Sequence, residues 1–252
     1  MKPLILYSLI AFFATTVAAS TRPTITFTFY HYPPDIRVVD GKPTGRYIDQ
    51  LNAVADTAGY DVRWMASTID EEADMLNEGR RAICSTGRMP TLERAEKWAF
   101  LPYLFDVVPG DIVLTLPRYL DRLRAHGNIV SLAKDSTMIG TLLESGIYGE
   151  KVDTIIRSNP SWILRTGKTD FQLMSMVLAG RAHYTIVPKD QWEEAKRVIP
   201  GTSTLVALEN YGAHPDYPIY IACSKGVPKE TLRALGDAMA QHGFPPGTLA
   251  DH

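Results

Sequence analysis

The stretch "YPIYIACSKGVPKETLRALGDAMAQHG", residues 217–243, decides how the chain folds. It predicts one strand followed by one helix, which Pro228 opens and Gly243 closes. A single strand and a single helix cannot enclose a hydrophobic core, so this tail must join a sheet formed by earlier residues. The architecture therefore depends on the segments that precede it.

Residues 24–87 predict a first α/β unit. The segment "TITFTFY" (24–30) alternates threonine with apolar residues, which is the period of a strand. A helix over 47–60, a strand over 60–66, a second helix over 70–79 and a third strand over 82–87 follow. This β-α-β-α-β order calls for a parallel sheet covered by helices.

A second run follows an extended segment over 105–116. It predicts a helix over 117–127, a strand over 128–133, a helix over 136–146, a strand over 151–156, a helix over 170–180, a strand over 182–188, a helix over 191–198 and a strand over 203–208. Two such runs in one chain indicate two α/β lobes.

Residues 1–19 have the order of a secretory signal peptide. Lys2 precedes an apolar stretch over 4–13, and small residues end at Ala19, where cleavage is expected. The apolar stretch is too short for a membrane span, so the mature chain is predicted to start near Ser20 and to work outside the cytoplasm. Without Lys2 the formal charge changes from −2 to −3, because 25 basic residues face 28 acidic ones. That balance does not indicate nucleic acid as a partner.

The two cysteines, Cys84 and Cys223, both lie in segments that predict buried strands. An even number of cysteines in an exported chain favours a disulfide. Burial alone fits two small apolar core residues. The sequence leaves both interpretations open.

The sequence predicts no catalytic residue, no metal site and no cofactor. Its six histidines do not show the spacing of metal ligands with cysteine or carboxylate. The chain also contains no GxSxG elbow, Walker loop or GxGxxG motif.

The segment "GRMPTLERAEKWAFLPY" (87–103) predicts a short helix with Thr91 as its N-cap. Arg94 then falls in the first turn, where the helix dipole disfavours a positive charge. Arg94 either faces solvent beside a carboxylate, or a bound anion turns its position into a favourable one.

Five segments together resemble one protein family. They are "YHYPPDI" (30–36), "DGKPTGRYIDQLNAVADTAGY" (40–60), "LNEGRRAICSTG" (76–87), "TLERAEKWAFLPY" (91–103) and "LAGRAHYTIVP" (178–188). In order and spacing they are similar to the periplasmic (extracellular) solute-binding proteins of family 3, the polar amino-acid-binding class. Within that class, the cysteine before the Thr-x-x-Arg helix and "YIACSKG" (220–226) look most like a proteobacterial subgroup.

The resemblance implies a periplasmic-binding-protein-like type II fold, with two α/β lobes joined by a two-segment hinge. Lobe 1 would comprise residues 20–115 and the returning tail 209–252, and lobe 2 residues 116–208. The ligand would lie in the cleft between the lobes, and closure would bury it.

The function implied by the resemblance is binding rather than catalysis. A monomer would close on a small polar, carboxylate-bearing solute, such as an amino acid, and deliver it to an inner-membrane ABC transporter. Two alternatives share the fold: an exported cyclohexadienyl dehydratase, which needs a protonated acid in the cleft, and a sensor that presents its closed form to a membrane receptor.

The family's ligand-binding positions map onto two sides of that cleft. Arg94 would clamp the carboxylate, because a guanidinium offers it two parallel donors. The other matching positions are Thr86 and Gly87 after the third strand, Tyr30, His31 and Tyr32 as an aromatic wall, and Ser136 and Thr137 at the start of a lobe 2 helix. The aromatic residues also fit a role as caps on the sheet edge, and Ser136 also fits a simple N-cap.

The chain departs from the family at two lobe 2 positions. Pro188 stands where amino-acid binders usually have an aspartate for the ligand's α-amino group, and Asp135 replaces a usual glycine. The candidates to substitute for the missing aspartate are Asp135, Asp190 and Glu209.

Overall fold

The computed structural model describes residues 22–212 and 214–248, so the predicted signal peptide lies outside the described residues. The chain forms two α/β lobes, each with a five-stranded sheet and its own apolar core. The predicted fold class is confirmed. Within the described ranges, no helix combines the length and the apolar character that crossing a membrane requires.

The strands of the described residues are β1 (Thr24–Phe29), β2 (Arg37–Val39), β3 (Lys42–Thr44), β4 (Asp61–Ala66), β5 (Ile83–Cys84), β6 (Trp98–Phe100), β7 (Asp106–Val108), β8 (Asp111–Thr115), β9 (Gly140–Leu143), β10 (Ile163–Gly167), β11 (Tyr184–Pro188), β12 (Val206–Leu208), β13 (Tyr217–Ile219) and β14 (Ala222–Ser224). The helices are α1 (Arg46–Thr57), α2 (Ile69–Glu78), α3 (Leu92–Lys97), α4 (Leu120–His126), α5 (Ile129–Lys134), α6 (Glu150–Arg157), α7 (Asp170–Leu178), α8 (Lys189–Val198) and α9 (Lys229–Gln241). Two short 3-10 helices span Pro117–Tyr119 and Thr202–Thr204.

Lobe 1 is organised around the sheet order β4-β1-β5-β14-β6. The tail strand β14 lies between β5 and β6 and runs antiparallel to both, while α9 packs against α1. On α9, Leu235, Ala238 and Met239 are buried in the lobe 1 core. The tail therefore completes the first sheet, as the family resemblance implies.

A disulfide joins Cys84 to Cys223. The two cysteines lie directly opposite each other on β5 and β14, with their Cα atoms 4.0 Å apart. Of the two interpretations that the sequence left open, the structure therefore supports the disulfide and not two free core cysteines. The disulfide also fixes the tail against the strand that leads into Thr86 and Gly87.

Lobe 2 has the sheet order β10-β9-β11-β8-β12. Strand β8 pairs antiparallel with both β11 and β12, so the backbone of residues 111–115 belongs to lobe 2. The predicted boundary after residue 115 is therefore too late, and the chain leaves lobe 1 between β7 and β8.

Three predicted elements of lobe 2 are wrong. The segment 128–133 is not a strand but helix α5, because Asn128 caps it and Ile129, Leu132 and Ala133 share a buried face. The predicted helix over 136–146 is a turn followed by strand β9, and the predicted strand over 151–156 lies in helix α6.

The two lobes are connected at paired backbone segments. Strand β7 pairs antiparallel with β13, and just beyond it Gly110 N donates to Asp216 Oδ1 at 2.8 Å. The backbone N–H of Asp111 donates to the carbonyl of His214 at 2.8 Å. A Cβ on Gly110 would lie 2.9 Å from that carbonyl oxygen, so the crossing requires glycine.

Candidate functional site

A cavity of about 160 Å³ lies between the lobes. Six of the eight predicted ligand-binding residues line it: Tyr30, His31, Tyr32, Thr86, Gly87 and Arg94. All six belong to lobe 1, and they come from the ends of β1 and β5 and from the first turn of α3.

Ser136 and Thr137 do not line the cavity, which corrects the lobe 2 part of the prediction. They form an exposed turn between α5 and β9, where Thr137 Oγ1 donates to Asp135 Oδ1 at 2.6 Å. The predicted helix start does not exist there, because the residues that follow enter a buried strand. The loop after that strand, including Ser145 and Tyr148, reaches the cavity instead.

Arg94 is the cationic centre of the lobe 1 side. Thr91 caps α3 by accepting a hydrogen bond from the backbone N–H of Arg94, as the sequence predicts. The Arg94 guanidinium donates to the carbonyl of Met89 at 2.9 Å and lies 5.0 Å from the Trp98 ring. Burial, followed by repulsion from Arg88, lowers the pKa of Arg94 to about 10. The cleft therefore holds this cation at an electrostatic cost that a bound anion would offset.

Arg88, which the sequence analysis missed, has a carboxylate partner. Its Nε donates to Glu72 Oε1 at 2.7 Å, and the two side chains are 5% and 0% exposed. Although burial disfavours the charge of Arg88, attraction to Glu72 raises its pKa. The Arg88 guanidinium also lies 5.6 Å from the Tyr30 ring. Arg88 therefore supports the aromatic wall, while the charge of Arg94 stays available to a ligand.

Gly87 allows the backbone after β5 to pass close to the tail. Its φ is +136°, and a Cβ there would lie 2.8 Å from Ile219 Cδ1. A side chain would therefore be both strained and obstructed. This geometry places the neighbouring Thr86 and Arg88 at the cavity.

Two carboxylates line the cavity on the lobe 2 side: Asp111 on β8 and Asp170 at the start of α7. Burial, followed by repulsion from Asp170 and Asp190, raises the pKa of Asp111 to about 8. Burial, followed by repulsion from Asp190, raises the pKa of Asp170 to about 7. Both acids therefore keep their protons to a higher pH than an ordinary aspartate does.

The candidates for the missing family aspartate lie elsewhere. Pro188 lines the cavity, whereas Asp135 lies in the exposed turn and Glu209 pairs with Lys189 at 2.9 Å. Asp190 accepts a hydrogen bond from the backbone N–H of Gln191 and is not one of the residues that line the cavity. Among the described residues, no group of three or more His, Cys, Asp and Glu has the arrangement of a metal site.

The two lobes touch through polar contacts beside the cavity. Lys168 of lobe 2 lies 3.0 Å from Asp70 of lobe 1, and Gln191 Nε2 donates to the carbonyl of Pro33 at 2.8 Å. Arg37 Nη2 lies 2.8 Å from Glu194 Oε1. The structure therefore represents a closed arrangement of the lobes.

The raised pKa of Asp170 predicts a pH-dependent stability. The pKa of Asp170 is about 7 in the folded protein and about 4 in the unfolded chain. Because the folded protein binds this proton more tightly, the contribution of Asp170 to the free energy of unfolding falls as the pH rises from about 4 to about 7. We therefore expect Asp170→Asn to gain stability relative to the wild type over this range and to level off above it.

Urea unfolding of both proteins from about pH 5 to about pH 8 measures this difference. The comparison separates this effect from the opposite contribution of His183 and His214, whose pKa values burial lowers. Loss of the Asp170 charge also lowers the pKa of Asp111, which adds to the difference in the same direction. A difference in unfolding free energy that does not change with pH would contradict the prediction.

Comparisons with known proteins find a family that part of the chain matches and solved structures that share its fold. Residues 25–115 match the model of the bacterial extracellular solute-binding proteins, family 3. The predicted family resemblance is confirmed. The matched residues run from β1 to the end of β8, and they include all six of the predicted ligand-binding residues that line the cavity. A comparison with curated protein sequences finds no significant match.

Solved structures share the fold at low sequence identity. An ancestral amino acid-binding protein, AncCDT-1, a precursor of cyclohexadienyl dehydratase, is 19% identical with a TM-score of 0.64, and the alignment covers 87% of this chain and 89% of that one. The arginine-, lysine-, histidine-binding protein ArtJ from Geobacillus stearothermophilus is 16% identical with a TM-score of 0.66, over 88% and 91% of the chains. A histidine kinase sensor domain is 18% identical with a TM-score of 0.67, over 88% and 92%. These likenesses show the fold of family 3.

Proposed function

We propose that this protein is a solute-binding protein that closes on a small, carboxylate-bearing ligand. The observation that carries the proposal is Arg94. Its guanidinium lies in the cleft between two lobes, its pKa is lowered by burial, and its bonded partner is a neutral carbonyl. A ligand carboxylate would supply the missing negative charge and a bidentate acceptor.

The family match supports export to the periplasm and delivery of the ligand to an ABC transporter. Family 3 is described as extracellular, and the disulfide fits an oxidising compartment. The arginine-, lysine-, histidine-binding relative makes amino acids the first ligands to try.

A thermal-shift screen over amino acids, dicarboxylates, opine-like compounds and short peptides tests the proposal. A compound that binds only the folded protein raises the melting temperature by mass action, by an amount that grows with its concentration. Stabilisation by carboxylate compounds, and not by their amides, is the expected result. A screen in which no carboxylate raises the melting temperature counts against the proposal.

A second candidate function is favoured by one observation. A dehydratase of the cyclohexadienyl type needs a protonated acid in the cleft, and the raised pKa values of Asp111 and Asp170 supply such acids. The ancestral relative AncCDT-1 shares the fold. Incubation of the purified protein with prephenate or arogenate distinguishes the two functions, because turnover would establish the enzyme and its absence would favour binding.

A further inference from the structure

The lobe 2 wall of the cavity contains a carboxylate oxygen without a partner. Asp170 is 7% exposed, and its Oδ1 has no hydrogen-bond partner in the part of the chain that the structure describes. The side chain is not required as a helix cap, because Thr169 accepts the hydrogen bond from the backbone N–H of Gln172. A buried carboxylate oxygen without a donor is costly, so its place at the cavity points to a donor from a ligand.

Asp170 belongs to a cluster of acids. Asp111 lines the same cavity, and Asp190 lies close enough to raise the pKa of both acids after the larger effect of burial. Lys168 also lines the cavity from lobe 2, but its Nζ pairs with Asp70 and Glu144. This wall therefore offers acids that a bound cation would hold in their charged form, whereas the facing wall holds the cation of Arg94.

Aromatic side chains lie among these charges. Tyr148 and Phe171 line the cavity from lobe 2, and Tyr30 and Tyr217 line it as well. After burial, the charges of Asp111 and Asp170 are among the causes that raise the pKa of Tyr217. Electron-rich ring faces beside carboxylates suit a cation, because both attract positive charge in a desolvated site.

We infer that the lobe 2 wall of the cleft is a subsite for an organic cation, in which Asp170, with Asp111 beside it, binds an ammonium or guanidinium group. The inference rests on the proposed function, because it completes the ligand whose carboxylate Arg94 holds. The subsite lies at the start of α7 and at strand β8, and it thereby supplies the carboxylate acceptor that Pro188 lacks.

Opposite charges on the two lobes also explain how such a ligand favours closure. The carboxylate would contact lobe 1 through Arg94, and the cation would contact lobe 2 through Asp170. A ligand with both groups therefore stabilises the closed arrangement more than a ligand that satisfies one lobe alone.

Calorimetric titration with matched compounds tests the subsite. The probes are unbranched ω-amino carboxylates of increasing length, L-lysine and L-arginine, each compared with the same-length carboxylate that ends in a methyl group or in a second carboxylate. We expect the compound with an ammonium or guanidinium group to bind at least about tenfold more tightly than its matched analogues.

The variant Asp170→Asn separates this contact from the fold. Asparagine has nearly the same shape, and the unpartnered oxygen it replaces makes no hydrogen bond that folding needs. We expect the variant to lose about tenfold or more in affinity for the cationic probe and to keep its affinity for the methyl analogue. Glu209→Gln is the matched control, because Glu209 pairs with Lys189 on the surface, and its affinities should equal those of the wild type.

The outcomes distinguish the inference from the proposed function. If the methyl or dicarboxylate analogues bind as tightly as the cationic probes, or if Asp170→Asn leaves the affinity for the cationic probe unchanged, the subsite is wrong and carboxylate binding stands. If no carboxylate in the series binds the wild type, the proposed function fails and the subsite fails with it. A melting temperature of Asp170→Asn equal to or above that of the wild type verifies that the variant is folded.

Discussion

Replacement of Arg94 by alanine weakens the binding of a carboxylate ligand by about thirtyfold or more, which corresponds to about 2 kcal/mol. The reason is that the variant leaves the ligand's carboxylate in a closed cleft without its charged donor. Arg94→Lys should lie between the variant and the wild type, because lysine keeps the charge but loses the planar pair of donors. Calorimetric titration with the compound that gives the largest thermal shift measures all three affinities.

Two controls show whether Arg94→Ala loses affinity through the lost contact or through a damaged fold. Arg181→Ala removes an exposed arginine away from the cavity and should leave the affinity unchanged. The melting temperature of ligand-free Arg94→Ala should stay close to that of the wild type, because burial already disfavours the charge of Arg94. An Arg94→Ala protein that is folded and binds the ligand with wild-type affinity would refute the assignment.

Lobe 1 could be predicted from the sequence because its signals are local. Strand β1 alternates polar and apolar residues, and α2 begins with a capping box formed by Thr68 and Glu71 and ends at Gly79, whose φ is positive. The tail also carries clear start and stop residues for α9. Periodicity, caps and glycines agree there, so the elements follow from the sequence alone.

The start of lobe 2 could not be predicted because its apolar runs are short. Strand β9 is buried throughout its first three residues, so it shows no alternation that would separate it from a helix. Helix α6 begins after Gly149 without a side-chain cap, and its β-branched residues, including Val152 and Ile155, suggest a strand. Packing against other elements, rather than the local sequence, determines the secondary structure of both segments.

The same limit applies to the site. Arg94 is visible in the sequence because its charge conflicts with the helix end that it occupies. Asp170 is not visible, because an acid in the first turn of a helix is the ordinary choice. Only the structure places it in the cavity with an unpartnered oxygen. Sequence reasoning therefore identified the arginine that lines the cavity and missed the opposing acids.

Loss of the Glu72 charge should destabilise the protein more than any other single change considered, because it leaves a buried arginine without its counterion. Glu72 is fully buried and accepts hydrogen bonds from Arg88 and from Thr28 Oγ1. Breaking a buried pair by removing one charge typically costs about 3–5 kcal/mol. We expect Glu72→Gln to lose that much free energy of unfolding, measured by urea denaturation at neutral pH.

Glu78→Gln provides the matched control on the same helix. Its carboxylate lies 3.7 Å from Arg80, and both side chains are exposed, so its replacement should change the free energy of unfolding by less than about 0.5 kcal/mol. A double variant, Glu72→Gln with Arg88→Gln, should recover part of the loss, since no unpaired charge then remains buried. If Glu72→Gln behaves like Glu78→Gln, the pair does not support the site. If it is strongly destabilised and the double variant recovers, the loss comes from the unpaired buried charge of Arg88.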